Sequence, residues 1–119
     1  YRLSGGSGND LFFLGTKGRA IGGDGNDKFY VQSGGDNLLT GGAGADQFWL
    51  LTDVAPDKAN TVVDFTQGTD VLGIAAQGAG VNFASLTRTG NSIALNGDVF
   101  AILTGFNTTT LTAADFVFI

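Results

Sequence analysis

Three nonapeptides in the first half of the chain align without gaps: Gly5-Gly6-Ser7-Gly8-Asn9-Asp10-Leu11-Phe12-Phe13, Gly22-Gly23-Asp24-Gly25-Asn26-Asp27-Lys28-Phe29-Tyr30 and Gly41-Gly42-Ala43-Gly44-Ala45-Asp46-Gln47-Phe48-Trp49. Each reads Gly-Gly-x-Gly-x-Asp-x-Phe-aromatic, and their starts lie 17 and 19 residues apart. A unit this short cannot bury its own apolar face, so it must stack on its neighbours. The period is close to two nonapeptides, and residues 14–21 and 31–40 read as degenerate copies. If two nonapeptides make one coil, the intact copies stack along one edge and the degenerate copies along the other. The first six residues of each intact copy then form a turn. The last three form a short strand whose central Phe12, Phe29 and Phe48 point inward by two-residue alternation.

Composition agrees with a turn-rich folded domain. The 119 residues fit one domain, and the apolar fraction of 43%, with ten Phe, argues against disorder. Twenty Gly with a single Pro serve a turn needed again and again, since the copies are periodic. All eleven acidic residues are Asp, against six Lys and Arg, for a net charge of −5. Such a chain is a poor nucleic-acid binder, because neutralising phosphates takes clusters of Lys or Arg. It suits cations. With no Cys and no His, disulfides, the usual zinc sites, thiol catalysis and His acid–base chemistry are excluded. No stretch reaches the ~18–20 apolar residues of a membrane-spanning helix. Tyr1-Arg2-Leu3-Ser4 does not read as a signal peptide, and a repeat follows almost directly. It is expected to be the C-terminal piece of a longer protein, joined to an upstream domain.

The coil brings carboxylates together. Stacking equivalent turns at the inter-strand spacing of about 4.8 Å sets Asp10 on Asp27 and Asp27 on Asp46. At an effective dielectric near 20, two carboxylates ~5 Å apart repel by roughly 3 kcal/mol. Two such contacts would remove ~6 kcal/mol from a domain whose total stability is typically ~5–15 kcal/mol. The stack therefore calls for a cation between turns. Calcium takes six to eight oxygens, tolerates irregular geometry and accepts carbonyls beside carboxylates. The expected ligands are side-chain oxygens of Asp10, Asp27 and Asp46. They are joined by carbonyls from the first and third positions of one turn (Gly5, Ser7; Gly22, Asp24) and the second and fourth of the next (Gly23, Gly25; Gly42, Gly44). Three turns would enclose two sites and leave a half-site above Asp10. On the degenerate edge, Lys17 or Arg19 either pairs with Asp36 in place of metal or is a solvated charge on its turn.

After residue 50 glycine thins. Strands are expected at 61–65, 70–74, 92–95 and 99–103, the last two joined by Asn96-Gly97 as a type I′ hairpin. Residues 52–60 read as an exposed loop, residues 112–114 as a helical turn and residues 115–119 as a final strand. The fold class expected is all-β: a short right-handed parallel β-roll over 1–50, then an antiparallel, sandwich-like β cap over 51–119, together one compact domain.

The nonapeptide resembles the calcium-binding repeat of RTX, or haemolysin-type, proteins over residues 5–49. The stretch Val63-Asp64-Phe65-Thr66-Gln67-Gly68-Thr69-Asp70-Val71-Leu72 is similar to the region after the last repeat in serralysin-type proteases and alginate-epimerase repeat modules. That resemblance implies Asp64 and Asp70 as further calcium ligands. The terminal Asp115-Phe116-Val117-Phe118-Ile119 is similar to the acidic-then-apolar ends of proteins exported by bacterial type I (ABC) systems.

The leading expectation is a calcium-triggered folding and secretion module of an extracellular bacterial protein, with calcium and the type I apparatus as partners. A second is an interaction module for a polysaccharide or a cell surface, with Tyr30 and Trp49 at outward ninth positions and Trp49 buried under the cap. An enzyme would have to use the non-repeat carboxylates Asp53, Asp57 and Asp64, so catalysis is expected in an upstream domain instead.

Overall fold

A computed structural model describes residues 1–51, 56, 58–75 and 81–119. The chain is all-β in those residues, with three single-turn 3-10 helices. The strands in chain order are β1 (Arg2–Ser4), β2 (Leu11–Thr16), β3 (Arg19–Ile21), β4 (Lys28–Gly35), β5 (Leu38–Thr40), β6 (Gln47–Leu51), β7 (Asn60–Val62), β8 (Val71–Ile74), β9 (Leu86–Thr89), β10 (Ser92–Leu95), β11 (Asp98–Leu103) and β12 (Phe116–Phe118). They form two sheets, ordered β1-β3-β5-β7-β11-β10-β9 and β12-β8-β6-β4-β2. Up to β8, successive strands alternate between the sheets, so each sheet gains every second strand. The three intact turns all cross from the first sheet to the second. The degenerate segments return on the opposite edge.

Register follows the repeat. Phe12 pairs with Phe29 and Phe29 with Phe48, all in parallel strands. The row continues through Leu72 to Phe116. The facing row on the other sheet is Leu3, Ala20, Leu39, Val62 and Leu103. These two rows meet between the sheets and make the centre of the core. Phe29 and Phe48 are fully buried, and the Phe12–Phe29 and Phe29–Phe48 rings stack at 4.9 and 5.0 Å between centroids. Gapless repetition of one residue at one register position is what lets the rings stack.

Parallel pairing does not stop near residue 50. β7 pairs parallel with β5 and β11, and β8 pairs parallel with β6 and β12. The expected antiparallel character of residues 51–119 holds for β9, β10 and β11 alone. The physical reason is that β5 and β6 present open hydrogen-bonding edges, which apolar segments nearby in the chain satisfy in the direction already set. The Asn96-Gly97 turn joins β10 to β11 as expected, with φ of 53° and 84° at the two positions. β9 was not anticipated: Leu-Thr-Arg-Thr has only one apolar residue, and its pairing with β10 makes it a strand. The expected strand at 61–65 ends at Val62, because Asp64 and Phe65 enter a turn. Of the expected 52–60 loop, residues 52–55 and 57, including Asp53 and Asp57, lie outside the described residues. Asn60 at its end is fully buried. The helical turn is a 3-10 turn at Ala113–Asp115, directly before β12. No described helix is long and apolar enough to cross a membrane.

The register predicts two unlike outcomes for one substitution. Phe29→Ala should cost about 3–5 kcal/mol in urea unfolding, as for a large buried aromatic. Phe13→Ala, at a position 59% exposed, should cost less than about 1 kcal/mol. Equal costs would contradict the inward–outward assignment.

Candidate metal centre

The residue that precedes each strand of the second sheet is an aspartate. Asp10, Asp27, Asp46 and Asp70 therefore stack in one row, since Leu11, Lys28, Gln47 and Val71 pair in order. Each of the last three carboxylates reaches back one rung. Asp27 Oδ1 accepts the Asp10 N–H at 2.8 Å, Asp46 Oδ1 accepts the Asp27 N–H at 2.8 Å, and Asp70 Oδ1 accepts the Asp46 N–H at 2.9 Å. One oxygen of each carboxylate is thus committed to the ladder. The other is not: the Oδ2 atoms of Asp10, Asp27 and Asp46 are buried and have no hydrogen-bond partner. Asp70 differs, because its Oδ2 accepts the Thr66 N–H at 2.9 Å. Three orphaned anionic oxygens therefore line the edge, and the fourth rung closes it.

The glycines make room for those oxygens. A Cβ at Gly5 would collide with Asp10 Oδ2 and press on the Gly22 carbonyl oxygen. A Cβ at Gly22 would do the same to Asp27 Oδ2 and the Gly41 carbonyl oxygen. The orphaned oxygens of Asp10 and Asp27 thus sit near a backbone carbonyl from the next turn, and a Cβ at Gly41 would collide with Asp46 Oδ2 and the Phe48 ring instead. The second and fourth glycines serve a different need. Gly23 and Gly25 have φ of 86° and 108°, and the carbonyls of Gly6 and Gly8 lie against them. Gly42 and Gly44 repeat this, with the carbonyls of Gly23 and Gly25 against them. Ser7 and Asp24, the third-position candidates, are exposed on their turns, and the Asp24 N–H donates to the Gly6 carbonyl at 3.0 Å.

Asp64 plays a part that the sequence reading did not foresee. Its two oxygens accept the N–H groups of Gly41 and Gly42 at 2.9 and 2.8 Å. It anchors the third turn from the start of the fourth. Asp64 and Asp70 thus both belong to the edge, each already holding backbone donors. Among the described residues no three carboxylates converge on one point. A metal here would be held by neighbouring Asp side chains together with carbonyls, the donor set that calcium accepts.

Charge is poorly tolerated in this row. Burial pushes the Asp27 carboxyl above its ordinary value of 3.8, helped by the Asp10 charge and opposed by the Asp10 N–H. Burial raises Asp46 further, to about 7, with the charges of Asp70, Asp27 and Asp64 adding to it. Asp70 is raised by burial and by Asp64, against the N–H groups of Asp46 and Thr66. Desolvation and like charge are both relieved by a proton or by a bound cation.

The opposite edge is tied together by uncharged side chains. Gly18, Asn37 and Asn60 occupy one row there, as their following residues pair in order. Buried Asn37 accepts the Gly18 N–H at 2.7 Å and donates to the Gly15 carbonyl at 2.8 Å and to Asn60 Oδ1 at 2.9 Å. Lys17 and Asp36 take equivalent turn positions with φ near 60°, and no ion pair joins Lys17 or Arg19 to Asp36. Of the two readings of this edge, the charge pairing is not formed, and an amide ladder ties the turns together. A polar residue immediately before an apolar strand triplet is the signal that could have found Asn37 and Asn60. A second, exposed amide ladder reinforces the aspartate edge, where Asn9 and Asn26 accept the N–H groups of Asn26 and Ala45.

The outward ninth positions also stack, Phe13 on Tyr30 at 5.5 Å and Tyr30 on Trp49 at 5.7 Å. Trp49 is buried, as expected, and lies over Gly73.

Comparison with known proteins matched no family model and found no significant curated relative.

The raised carboxyls fix the sign of a pH effect. The folded chain holds its protons more tightly than the unfolded chain does. Metal-free stability should therefore rise as pH falls from about 7 toward 3.8. Circular dichroism of the calcium-free chain should show a larger folded fraction at pH 5 than at pH 8. A folded fraction that falls over this range would contradict the assignment.

Proposed function

We propose that this chain is a calcium-binding folding and secretion module at the C-terminal end of an extracellular bacterial protein, built as a right-handed parallel β-roll with a β cap. The observation that carries this reading is the row of buried, unpartnered Asp Oδ2 atoms at Asp10, Asp27 and Asp46. An orphaned anionic oxygen is costly to bury. Three in register, with the carbonyls of Gly22 and Gly41 near those of Asp10 and Asp27, form a donor set that a divalent cation completes.

The mechanism follows from the charges. At the low calcium of a cytosol the row repels itself and the chain stays extended, the state a type I exporter handles. At the higher calcium outside, the ion offsets the repulsion. Binding free energy then becomes folding free energy. Calcium sites of extracellular modules have dissociation constants on the order of 0.1–1 mM. The calcium ligands in this reading are Asp10, Asp27 and Asp46 with carbonyls of the stacked turns; Asp64 and Asp70 shape the last turn of the row.

Folding also changes the export segment. β12 hydrogen-bonds along β8, and the buried Asp115 carboxylate accepts from Gln67 Nε2 at 3.0 Å and from the Thr112 N–H at 2.8 Å. Gln67 belongs to the turn that ends in Asp70, so the last coil and the C-terminal strand are tied together. An apolar terminus that is legible in the unfolded chain becomes part of a sheet. Catalysis, in this reading, belongs to an upstream domain of the parent protein.

A calcium titration followed by circular dichroism tests the reading. β signal should appear with a midpoint on the order of 0.1–1 mM. Asp27→Asn keeps an acceptor for the Asp10 N–H and removes one charge. It should raise that midpoint by about tenfold, for a loss of ~1.4 kcal/mol in binding. It should also leave the calcium-free chain more folded than wild type. A β signal indifferent to both calcium and this substitution would falsify the proposal.

A further inference from the structure

The outer face of the first sheet carries a second feature, remote from the aspartate row in chemistry. Arg2 and Arg19 are register partners on β1 and β3, so their Cα atoms sit side by side across a parallel pair. Both are exposed, and both line a cleft of about 250 Å³ whose remaining lining includes Ile21, Leu38, Thr40 and Val63. Like charges on neighbouring strands weaken a sheet. No carboxylate offsets this one: among the described residues neither guanidinium group has an ion pair or a hydrogen bond. In a chain of net charge −5, with six cationic side chains in all, two stand together over a partly apolar floor.

We propose that this cleft is a binding site for a small organic phosphate, with the dianionic phosphate gripped between Arg2 and Arg19 and the organic group resting on Ile21, Leu38 and Val63. Three features select this class. Guanidinium forks match the oxygens of phosphate in geometry, and two forks one strand spacing apart can take opposite sides of a single tetrahedral group. A dianion neutralises both arginines at once, whereas a monocarboxylate neutralises one. The apolar side chains of the floor have no use for bare inorganic phosphate, but they suit an attached organic body. The aspartate row, acidic and on a turn edge, takes no part.

Phenyl phosphate serves as the probe, by ligand-detected NMR on the full chain in calcium at pH 8. Inorganic phosphate and galacturonate are the comparisons. Wild type should bind phenyl phosphate more tightly than either. Arg2→Gln and Arg19→Gln should each weaken it by about tenfold, the loss of one charge-assisted contact. The double variant should abolish binding. Circular dichroism keeps the test fair, since both side chains are exposed and the fold should survive. Affinity should also fall from pH 8 to pH 5, as a phosphate monoester with a second pKa near 6 becomes a monoanion. The proposal is overturned if a folded double variant binds as wild type does, or if galacturonate binds as tightly as phenyl phosphate. Equal affinity for inorganic phosphate would overturn the part given to the apolar floor.

Discussion

The mutual repulsion of stacked carboxylates governs this molecule. The turn of the coil places Asp10, Asp27 and Asp46 in register and buries the Oδ2 atom of each without a hydrogen-bond partner. The same side chains are indispensable as acceptors, because each Oδ1 of Asp27, Asp46 and Asp70 ties its rung to the one before. Removing the aspartates would break the ladder, and leaving them unneutralised strains it. In the proposed reading, a row that must be present and must be neutralised makes folding conditional on a cation or a proton. Burial raises the Asp46 carboxyl to about 7, so even the proton is a competitor near neutral pH. The glycines follow from this arrangement, because any Cβ at Gly5 or Gly22 would occupy the space beside the orphaned oxygens.

The two edges of the coil solve one structural problem with different chemistry. Both must tie successive turns together through a side chain placed just before a strand. One edge uses carboxylates and inherits their repulsion. The other uses Asn37, which accepts and donates at once, and Asn60, whose Oδ1 accepts from Asn37; neither carries charge. In the proposed reading, cation dependence therefore belongs to one edge, while the other holds its hydrogen bonds at any calcium concentration. Beyond the last turn, Asp64, Thr66 and Gln67 convert the open ladder into a closed end. They take up the free N–H groups of Gly41 and Gly42, the free oxygen of Asp70 and the buried carboxylate of Asp115.

Much of this was legible because the repeat is gapless. Once Gly5, Gly22 and Gly41 are aligned, the inward Phe row, the outward aromatic row and the stacked aspartates all follow from a period of two along a strand. Asn96-Gly97 announced its hairpin for the same local reason: both positions need positive φ. What was illegible depended on pairing partners distant in sequence. Apolar runs such as Thr61-Val62 or Phe116-Val117-Phe118 look alike whether they pair parallel or antiparallel, and the open edges of β5 and β8 decided the direction. Asp70 was assigned by resemblance rather than as the fourth rung, because its turn lacks the double glycine. Asn37 was hidden in a segment that reads as a failed copy of the repeat, although that segment is a working copy with a different side chain.

The account rests on where a cation sits. A crystal structure of the chain grown with calcium, with anomalous scattering used to locate the ions, measures this directly. The account predicts ions along the row of Asp10, Asp27 and Asp46, contacting their Oδ2 atoms and carbonyls of the neighbouring turns, and none beside Asn37 and Asn60. Ions on the asparagine edge, or a folded chain with no ion beside any of the three aspartates, would contradict it.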